Sequence, residues 1–123
     1  MTAIWVGLFT AGALGAPCRY LLDGFVQDHS EGAFPWGTFV INMTGSLLLG
    51  LITGAALYHA FPTIPKIILG TGFCGAYTTF STWTFETIRL LEEGARREAL
   101  LNAVLSLVIG ATAAGLGLAL ASV

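Results

Sequence analysis

Four long stretches of this chain carry no charged side chain, and they limit what it can fold into. They cover residues 1–18, 32–65, 67–85 and 99–123. A transmembrane helix needs about 20 apolar residues to cross roughly 30 Å of hydrocarbon. The spacing therefore predicts one all-α integral membrane domain over residues 1–123, built from four transmembrane helices. We expect these helices at about 3–23, 35–59, 66–92 and 97–121.

The composition favours a surface that faces lipid rather than water. Charged residues make up 10% of the chain and hydrophobic residues 55%, whereas a soluble domain usually has about 25% charged residues. We therefore expect a multi-pass protein of the cell's inner or plasma membrane. The first apolar stretch lacks the basic segment that opens a signal peptide, so we interpret it as a mature helix. The absence of a basic patch argues against a nucleic-acid partner.

The cysteines and histidines give no pattern typical of a metal site or an enzyme. Cys18 and Cys74 lie in separate apolar segments, which is neither a disulfide framework nor a metal-binding spacing. We expect both thiols to be small buried core residues. His29 and His59 lie far apart in sequence, and no nucleophile and base stand out as a pair. The chain is therefore not expected to be an enzyme.

Small and polar residues recur at every fourth position of the first, second and fourth predicted helices, which places them on one face of each helix. The stripes consist of Gly7, Ala11 and Gly15; of Thr38, Asn42, Ser46, Gly50 and Gly54; and of Asn102, Ser106, Gly110 and Ala114. Stripes of this kind let membrane helices approach closely. We expect most of these residues to serve helix packing.

Asn42 and Arg19 each admit two interpretations. A side-chain amide inside a membrane is costly unless it is paired. Asn42 therefore either lines a pore or vestibule or makes a hydrogen bond between helices. Arg19 lies near the end of the first predicted helix, where it either extends to the membrane interface or provides a fixed positive charge at the mouth of an anion path.

The stretch GFCGAYTTFSTWTFE at residues 72–86 interrupts the apolar pattern of the third predicted helix. Glycine weakens a helix, and Thr and Ser side chains can bond back to carbonyls of the preceding turn. The sequence therefore predicts a break at about Gly72–Thr79. Irregular backbone survives inside a membrane only where protein covers it or where it lines a cavity. A break would free carbonyl oxygens for a hard cation and N–H groups for an anion.

Two aromatic residues follow the expected break and share one helix face. Phe80 and Trp83 are three residues apart, and the hydroxyls of Ser81, Thr82 and Thr84 surround them. An aromatic ring has a positive edge. Ring edges together with hydroxyls can therefore replace part of the water shell of a small anion. The alternative interpretation is that both aromatic rings belong to the core.

Three segments together resemble the Fluc/CrcB fluoride channel family. They are GALGAPCRY at 12–20, PWGTFVINMTGSLLLG at 35–50 and GFCGAYTTFSTWTFE at 72–86, and the resemblance in order and length covers essentially the whole chain. It implies a passive, fluoride-selective channel that exports fluoride from the cytoplasm and relieves fluoride toxicity. It also implies an antiparallel homodimer in the lipid bilayer, with dual topology, two pores and a structural Na⁺ at the dimer centre.

The resemblance also assigns roles to individual residues. It implies a fluoride pore lined by Arg19, Asn42, Phe80, Ser81, Thr82, Trp83, Glu86 and Ser106. It implies that the backbone carbonyls of Gly75 and Thr78 hold the Na⁺. The chain departs from the family pattern at Trp83, where the family commonly has Phe. The indole N–H of a Trp could itself donate to an anion. Gly110 and Ala114 also stand where some relatives carry hydroxyls, which leaves a thinner polar track on the fourth helix.

Two other kinds of membrane protein are weighed against a channel. A small multidrug transporter, also a four-helix dimer, needs a carboxylate in mid-membrane, whereas Asp23 lies at the end of the first predicted helix. A non-transporting scaffold would explain the stripes of small residues. It would not explain the run of hydroxyl and aromatic residues after the expected break.

Overall fold

The chain folds entirely into helices. The computed structural model describes every residue from Met1 to Val123 and contains no β-strand. The helices are α1 (Thr2–Asp28), α2 (Trp36–Tyr58), α3 (Thr63–Ile67), a π-helical segment (Ile68–Cys74), α4 (Gly75–Tyr77), α5 (Phe80–Glu92) and α6 (Arg96–Leu120). The elements from α3 to α5 follow one another as one helical region. The prediction of an all-helical fold with four helical regions is therefore confirmed.

The observed helices differ from the expected ones mainly at two boundaries. The first was expected to end near residue 23, but α1 continues to Asp28, because the charge of Asp23 marks where apolar residues stop and does not itself end a helix. The third region begins at Thr63 rather than near residue 66. Pro65 lies in its first turn, where a missing N–H breaks no helical hydrogen bond.

Two of the helices, α2 and α6, are long and apolar enough to cross a membrane by length and composition. Glycines, Pro17 and Arg19 lower the mean hydropathy of α1, and the region from 63 to 92 is divided into shorter pieces. Large apolar side chains such as Phe9, Leu107 and Leu120 lie exposed on the outside. A water-facing surface rarely carries so many of them, and this indicates a membrane protein.

Close backbone contacts at glycines hold the helices together. The most extensive pairing joins α2 to α6, where a Cβ on Gly50 would lie 2.9 Å from the carbonyl carbon of Ala114. A second pairing joins α1 to the π-helical segment. There a Cβ on Gly15 would lie 2.5 Å from the carbonyl oxygen of Phe73. The prediction that the small-residue stripes serve helix packing is confirmed at these positions.

The expectation for the two cysteines is half correct. Cys74 is buried in the π-helical segment, as predicted, whereas Cys18 is exposed on the outer face of α1. A thiol is apolar enough to face lipid, so the sequence pattern alone did not separate the two environments.

We predict that Gly117→Ala destabilises the protein and that Gly115→Ala does not. A Cβ at Gly117 would lie 2.8 Å from the main-chain nitrogen of Leu51 and still closer to the carbonyl oxygen of Leu47. Overpacking of this kind costs about 1–3 kcal/mol. Gly115 lies on the same helix with nothing within 4 Å of such a Cβ. The midpoint of thermal unfolding in detergent measures both effects, and equal midpoints for the two variants would contradict the packing described here.

Candidate functional site

The backbone leaves helical geometry between α4 and α5. Thr78 has φ −79° and ψ 161°, and Thr79 has φ −145° and ψ 122°, both extended conformations. Before this point, both the main-chain N–H and the hydroxyl of Thr78 donate to the carbonyl oxygen of Cys74, at 2.9 and 2.8 Å. A helix that stops inside a helical bundle leaves polar backbone groups that need new partners.

Asn42 on α2 provides these partners at Thr79. Its Nδ2 donates to the carbonyl oxygen of Thr79 at 2.9 Å, and the N–H of Thr79 donates to its Oδ1 at 2.8 Å. One side chain thus pairs both polar backbone groups of one extended residue. The interhelical hydrogen bond, which was one of the two interpretations of Asn42, is therefore present. Asn42 also lines a cavity, so its two interpretations do not exclude each other.

The Asn42 bonds change the hydrogen bonding on both sides of the interruption. In a continuous α-helix the N–H of Thr79 would donate to the carbonyl of Gly75, and here it donates to Asn42 instead. The Gly75 carbonyl thus loses that intrahelical donor. After the interruption, the Thr79 hydroxyl accepts from the N–H of Thr82 at 3.2 Å and caps α5. The first N–H groups of α5, beginning at Phe80, have no acceptor within the helix.

A cavity of about 320 Å³ opens to the outside of the molecule at this point. Its lining includes six of the predicted site residues: Asn42, Gly75, Thr78, Phe80, Trp83 and Ser106. The ring centroids of Phe80 and Trp83 lie 5.3 Å apart, and the two ring planes are tilted by 56° to each other. Phe80 is 74% exposed, so the ring lies on an open wall and not in the core of the single subunit.

The indole N–H of Trp83 does not lie free in this cavity. Its Nε1 donates to the main-chain carbonyl oxygen of Asn102 on α6 at 3.0 Å. The sequence suggested this N–H as a donor to an anion, but in the structure it is already paired. Sequence reasoning did not identify Asn102 as part of the site. Its signal was its place in the polar stripe of the fourth helix, one turn before Ser106.

A second cavity, of about 150 Å³, lies between α1, α2 and the start of α5, and its lining includes Arg19, Asp23, Thr38, Thr79 and Thr82. The guanidinium of Arg19 donates from Nη1 to the carbonyl oxygen of Thr78 at 3.5 Å. Arg19 therefore turns inward to the interruption rather than away to the membrane interface.

A third cavity, of about 350 Å³, lies toward the C-terminal ends of α1 and α5, and its lining includes Asp23, Gln27, Glu86, Arg89 and Glu93. Arg89 and Glu93 form an exposed ion pair at 2.8 Å. One carboxyl oxygen of Glu86, Oε2, is buried without a hydrogen-bond partner. It is the one buried side-chain nitrogen or oxygen atom of the structure that lacks a partner.

The predicted site residues thus divide among three neighbouring cavities. Arg19 and Thr82 line the second and Glu86 the third, whereas Ser81 lines none of them; its hydroxyl lies 3.4 Å from that of Thr79. Thr79 belongs to the first and second cavities, and Asp23 belongs to the second and third. Shared residues therefore connect the cavities in series, from the aromatic wall to the charged end.

The apolar outer surface and the polar residues that line cavities between the helices define a membrane protein with a candidate site between its helices. Over residues 5–118 the sequence matches the family described as CrcB-like protein, Camphor Resistance (CrcB). The chain belongs to this family. The resemblance stated from the three sequence segments is therefore confirmed.

Similar proteins cover nearly the whole chain. Fluoride-specific ion channel FluC 1 of Streptomyces avermitilis is 48% identical, over 97% of this chain and 92% of that protein. The protein of the same name from Symbiobacterium thermophilum is also 48% identical, over 94% of this chain and 95% of its own length. Fluoride-specific ion channel FluC 2 of Mycobacterium tuberculosis (strain H37Rv) is 46% identical, over 94% and 88%.

We predict that Asn42→Leu speeds hydrogen exchange at the Thr79 amide about tenfold or more. The substitution leaves both backbone groups of Thr79 without a partner, and such a loss costs about 1–3 kcal/mol per group. Exchange is followed by mass spectrometry on the peptide around Thr79, with the protein in nanodiscs. Thr53→Val is the control, because the Thr53 hydroxyl bonds only to Leu49 of its own helix. Unchanged exchange near Thr79 in Asn42→Leu would contradict the conclusion that Asn42 holds the Thr79 backbone in place.

Proposed function

We propose that this protein is a fluoride-selective passive channel in the cell's inner membrane, which exports fluoride from the cytoplasm and so relieves fluoride toxicity. The observation that carries the proposal is the open cavity where Phe80, Trp83 and Asn42 meet at the start of α5. Membership of the CrcB-like family and the names of the similar channels support it. A channel needs no reacting group, so no enzymatic step is part of the proposal.

The first cavity suits a small anion because its donors are fixed before the ion arrives. The ring edges of Phe80 and Trp83 carry partial positive charge. The unpaired N–H groups at the start of α5 and its positive dipole end add to this field. Fluoride loses much of its water shell here, and prepositioned donors of this kind replace the lost water without reorganising.

The other predicted residues lie along the series of cavities beyond Thr79. Arg19 places a positive charge at the second cavity, where Thr82 adds a hydroxyl donor, and Ser81 adds another beside Thr79. Glu86 lies at the far end. A carboxylate beside an anion path raises the energy of the anion. We therefore assign Glu86 a role in limiting occupancy at that end.

A second copy of the chain completes the site. In one subunit the Phe80 ring is three-quarters exposed, and a Cβ at Gly75 would meet nothing within 4 Å. The wall that carries the aromatic pair is therefore open in a single subunit. An antiparallel homodimer would close two such walls and give two pores. The chain has five Lys and Arg residues, too few to impose one orientation strongly, and this supports dual topology.

A structural Na⁺ at the dimer centre fits the backbone at the interruption. The Gly75 carbonyl has lost its Thr79 donor, and the Thr78 carbonyl accepts only a 3.5 Å contact from Arg19. Carbonyl oxygens are the ligands that hard cations prefer. Gly75 and Thr78 from each subunit would therefore hold the ion.

We predict that Phe80→Ile lowers fluoride efflux from proteoliposomes by at least about tenfold. The substitution keeps an apolar side chain but removes the ring edge, so the anion loses a donor worth about 1–2 kcal/mol. Efflux is followed with a fluoride electrode, and chloride efflux is measured in parallel.

The control for Phe80→Ile is Phe85→Ile. Phe85 lies on the same helix with an exposed ring that lines none of the three cavities, and its replacement should leave efflux unchanged. Equal efflux from both variants would show that Phe80 serves only in packing. Wild-type protein without fluoride-selective efflux would refute the channel, and drug-driven proton exchange would favour the small multidrug transporter.

We also predict that sodium stabilises the dimer. Replacement of Na⁺ by N-methylglucamine should lower the unfolding midpoint and shift the protein from dimer to monomer in size-exclusion chromatography. At a sodium concentration about a hundred times Kd, the stabilisation is about 2.7 kcal/mol. Potassium at the same ionic strength controls for a general salt effect. A midpoint that does not depend on the cation would remove the ion from the proposal.

A further inference from the structure

Four hydrogen bonds lie where α5 meets α6 behind the aromatic wall, and two of them join the helices directly. The Thr87 hydroxyl donates to the main-chain carbonyl of Trp83 at 2.8 Å, and Asn102 Nδ2 donates to the Thr87 hydroxyl at 2.9 Å. The indole of Trp83 then donates to the carbonyl oxygen of Asn102 at 3.0 Å. These bonds form a closed ring through three residues. A fourth bond, from Ser106 to Asn102 Oδ1 at 3.4 Å, branches from it.

The direction of every proton in this ring follows from one fixed group. The carbonyl of Trp83 can only accept, so the Thr87 hydroxyl must donate to it. The Thr87 oxygen then accepts, so Asn102 must present its amide nitrogen to Thr87. The amide oxygen of Asn102 consequently faces Ser106, which must donate. The ring therefore has one arrangement, and its members cannot exchange donor and acceptor roles.

Burial makes this arrangement rigid. Asn102 is 0% exposed, so water does not compete for its amide. The amide nitrogen and amide oxygen of its side chain and its main-chain carbonyl oxygen all have partners within the ring or its branch. Buried polar networks whose members are all paired hold one side-chain geometry.

We propose that Thr87 and Asn102 are positioning residues that fix the indole of Trp83 in the wall of the first cavity. The ring of bonds holds the indole N–H on α6, so the aromatic ring itself, and not its N–H, is what Trp83 contributes to the site. Phe80 packs against the same indole, so the orientation of the Phe80 side chain also depends on these hydrogen bonds.

This inference rests on the proposed function, because its first readout is fluoride efflux. Thr87→Val is the main test, since valine keeps the shape of threonine and removes only the hydroxyl. Thr87→Ser restores a hydroxyl and is the conservative rescue. Thr112→Val is the control, because the Thr112 hydroxyl bonds only to Val108 of its own exposed helix face.

The expected result is a roughly fivefold to tenfold loss of efflux in Thr87→Val, with wild-type efflux in Thr112→Val and near wild-type efflux in Thr87→Ser. Trp83→Phe alone should still conduct, because a ring remains beside Phe80. In the Trp83→Phe background, Thr87→Val should lower efflux by less than about twofold, since no indole remains to be held. A merely structural role for Thr87 would produce the same loss in both backgrounds.

A spectroscopic readout tests the inference independently of transport. Trp5 and Trp36 are replaced by Phe, so that Trp83 is the only emitting tryptophan. Time-resolved anisotropy should then show faster indole motion in Thr87→Val than in the parent or in Thr112→Val.

The outcomes separate the inference from the proposed function. Unchanged indole motion in Thr87→Val would overturn the positioning role, and so would an efflux loss of equal size with and without the indole. If the parent protein carries no fluoride, the proposed function fails, and the anisotropy alone decides whether Thr87 and Asn102 hold the ring.

Discussion

The pair of hydrogen bonds between Asn42 and Thr79 is the interaction on which the rest of the site depends. An extended residue inside a helical bundle leaves an N–H and a carbonyl that a membrane cannot hydrate. Asn42 pairs both, and only then can α5 begin where it does. The position of the aromatic wall, the free end of α5 and the released carbonyl of Gly75 all follow from this one contact between α2 and the interruption.

The residues that form the interruption also explain why it does not weaken the fold. The α2–α6 and α1–π-segment contacts are made by backbones at small residues. Those contacts hold the bundle, and the region from 63 to 92 is free to carry irregular backbone. On α2, Asn42 of the polar site and Gly50 of the close packing lie on the same face, at different positions along the helix.

Much of the fold could be predicted from the sequence because charge spacing and small-residue stripes are properties of one chain. The helices and the close packing at Gly15 and Gly50 followed from them. The extension of α1 to Asp28 did not, because a helix can leave the apolar layer without a change in propensity. The exposure of Cys18 was missed for a related reason, since lipid and protein core look alike to a thiol.

The sequence singled out individual residues of the candidate site but not the contacts between them. The sequence pointed to Phe80, Trp83 and Asn42, and the structure brings them to one cavity. It gave no indication that the indole N–H is paired with Asn102, because that partner is a main-chain atom 19 residues away. Nor did it separate Arg19 and Glu86 into further cavities. These contacts depend on how α5 is rotated against its neighbouring helices, and the periodicity of the sequence does not specify that rotation.

The main-chain acceptor of the indole has an evolutionary consequence. Every amino acid at position 102 supplies the same carbonyl oxygen, so a tryptophan that replaces phenylalanine at position 83 finds its hydrogen-bond acceptor without a second amino-acid substitution. Only the orientation of the new ring needs side chains, and those can be acquired afterwards. A lineage could therefore try the larger aromatic without first passing through a variant that carries an unpaired indole.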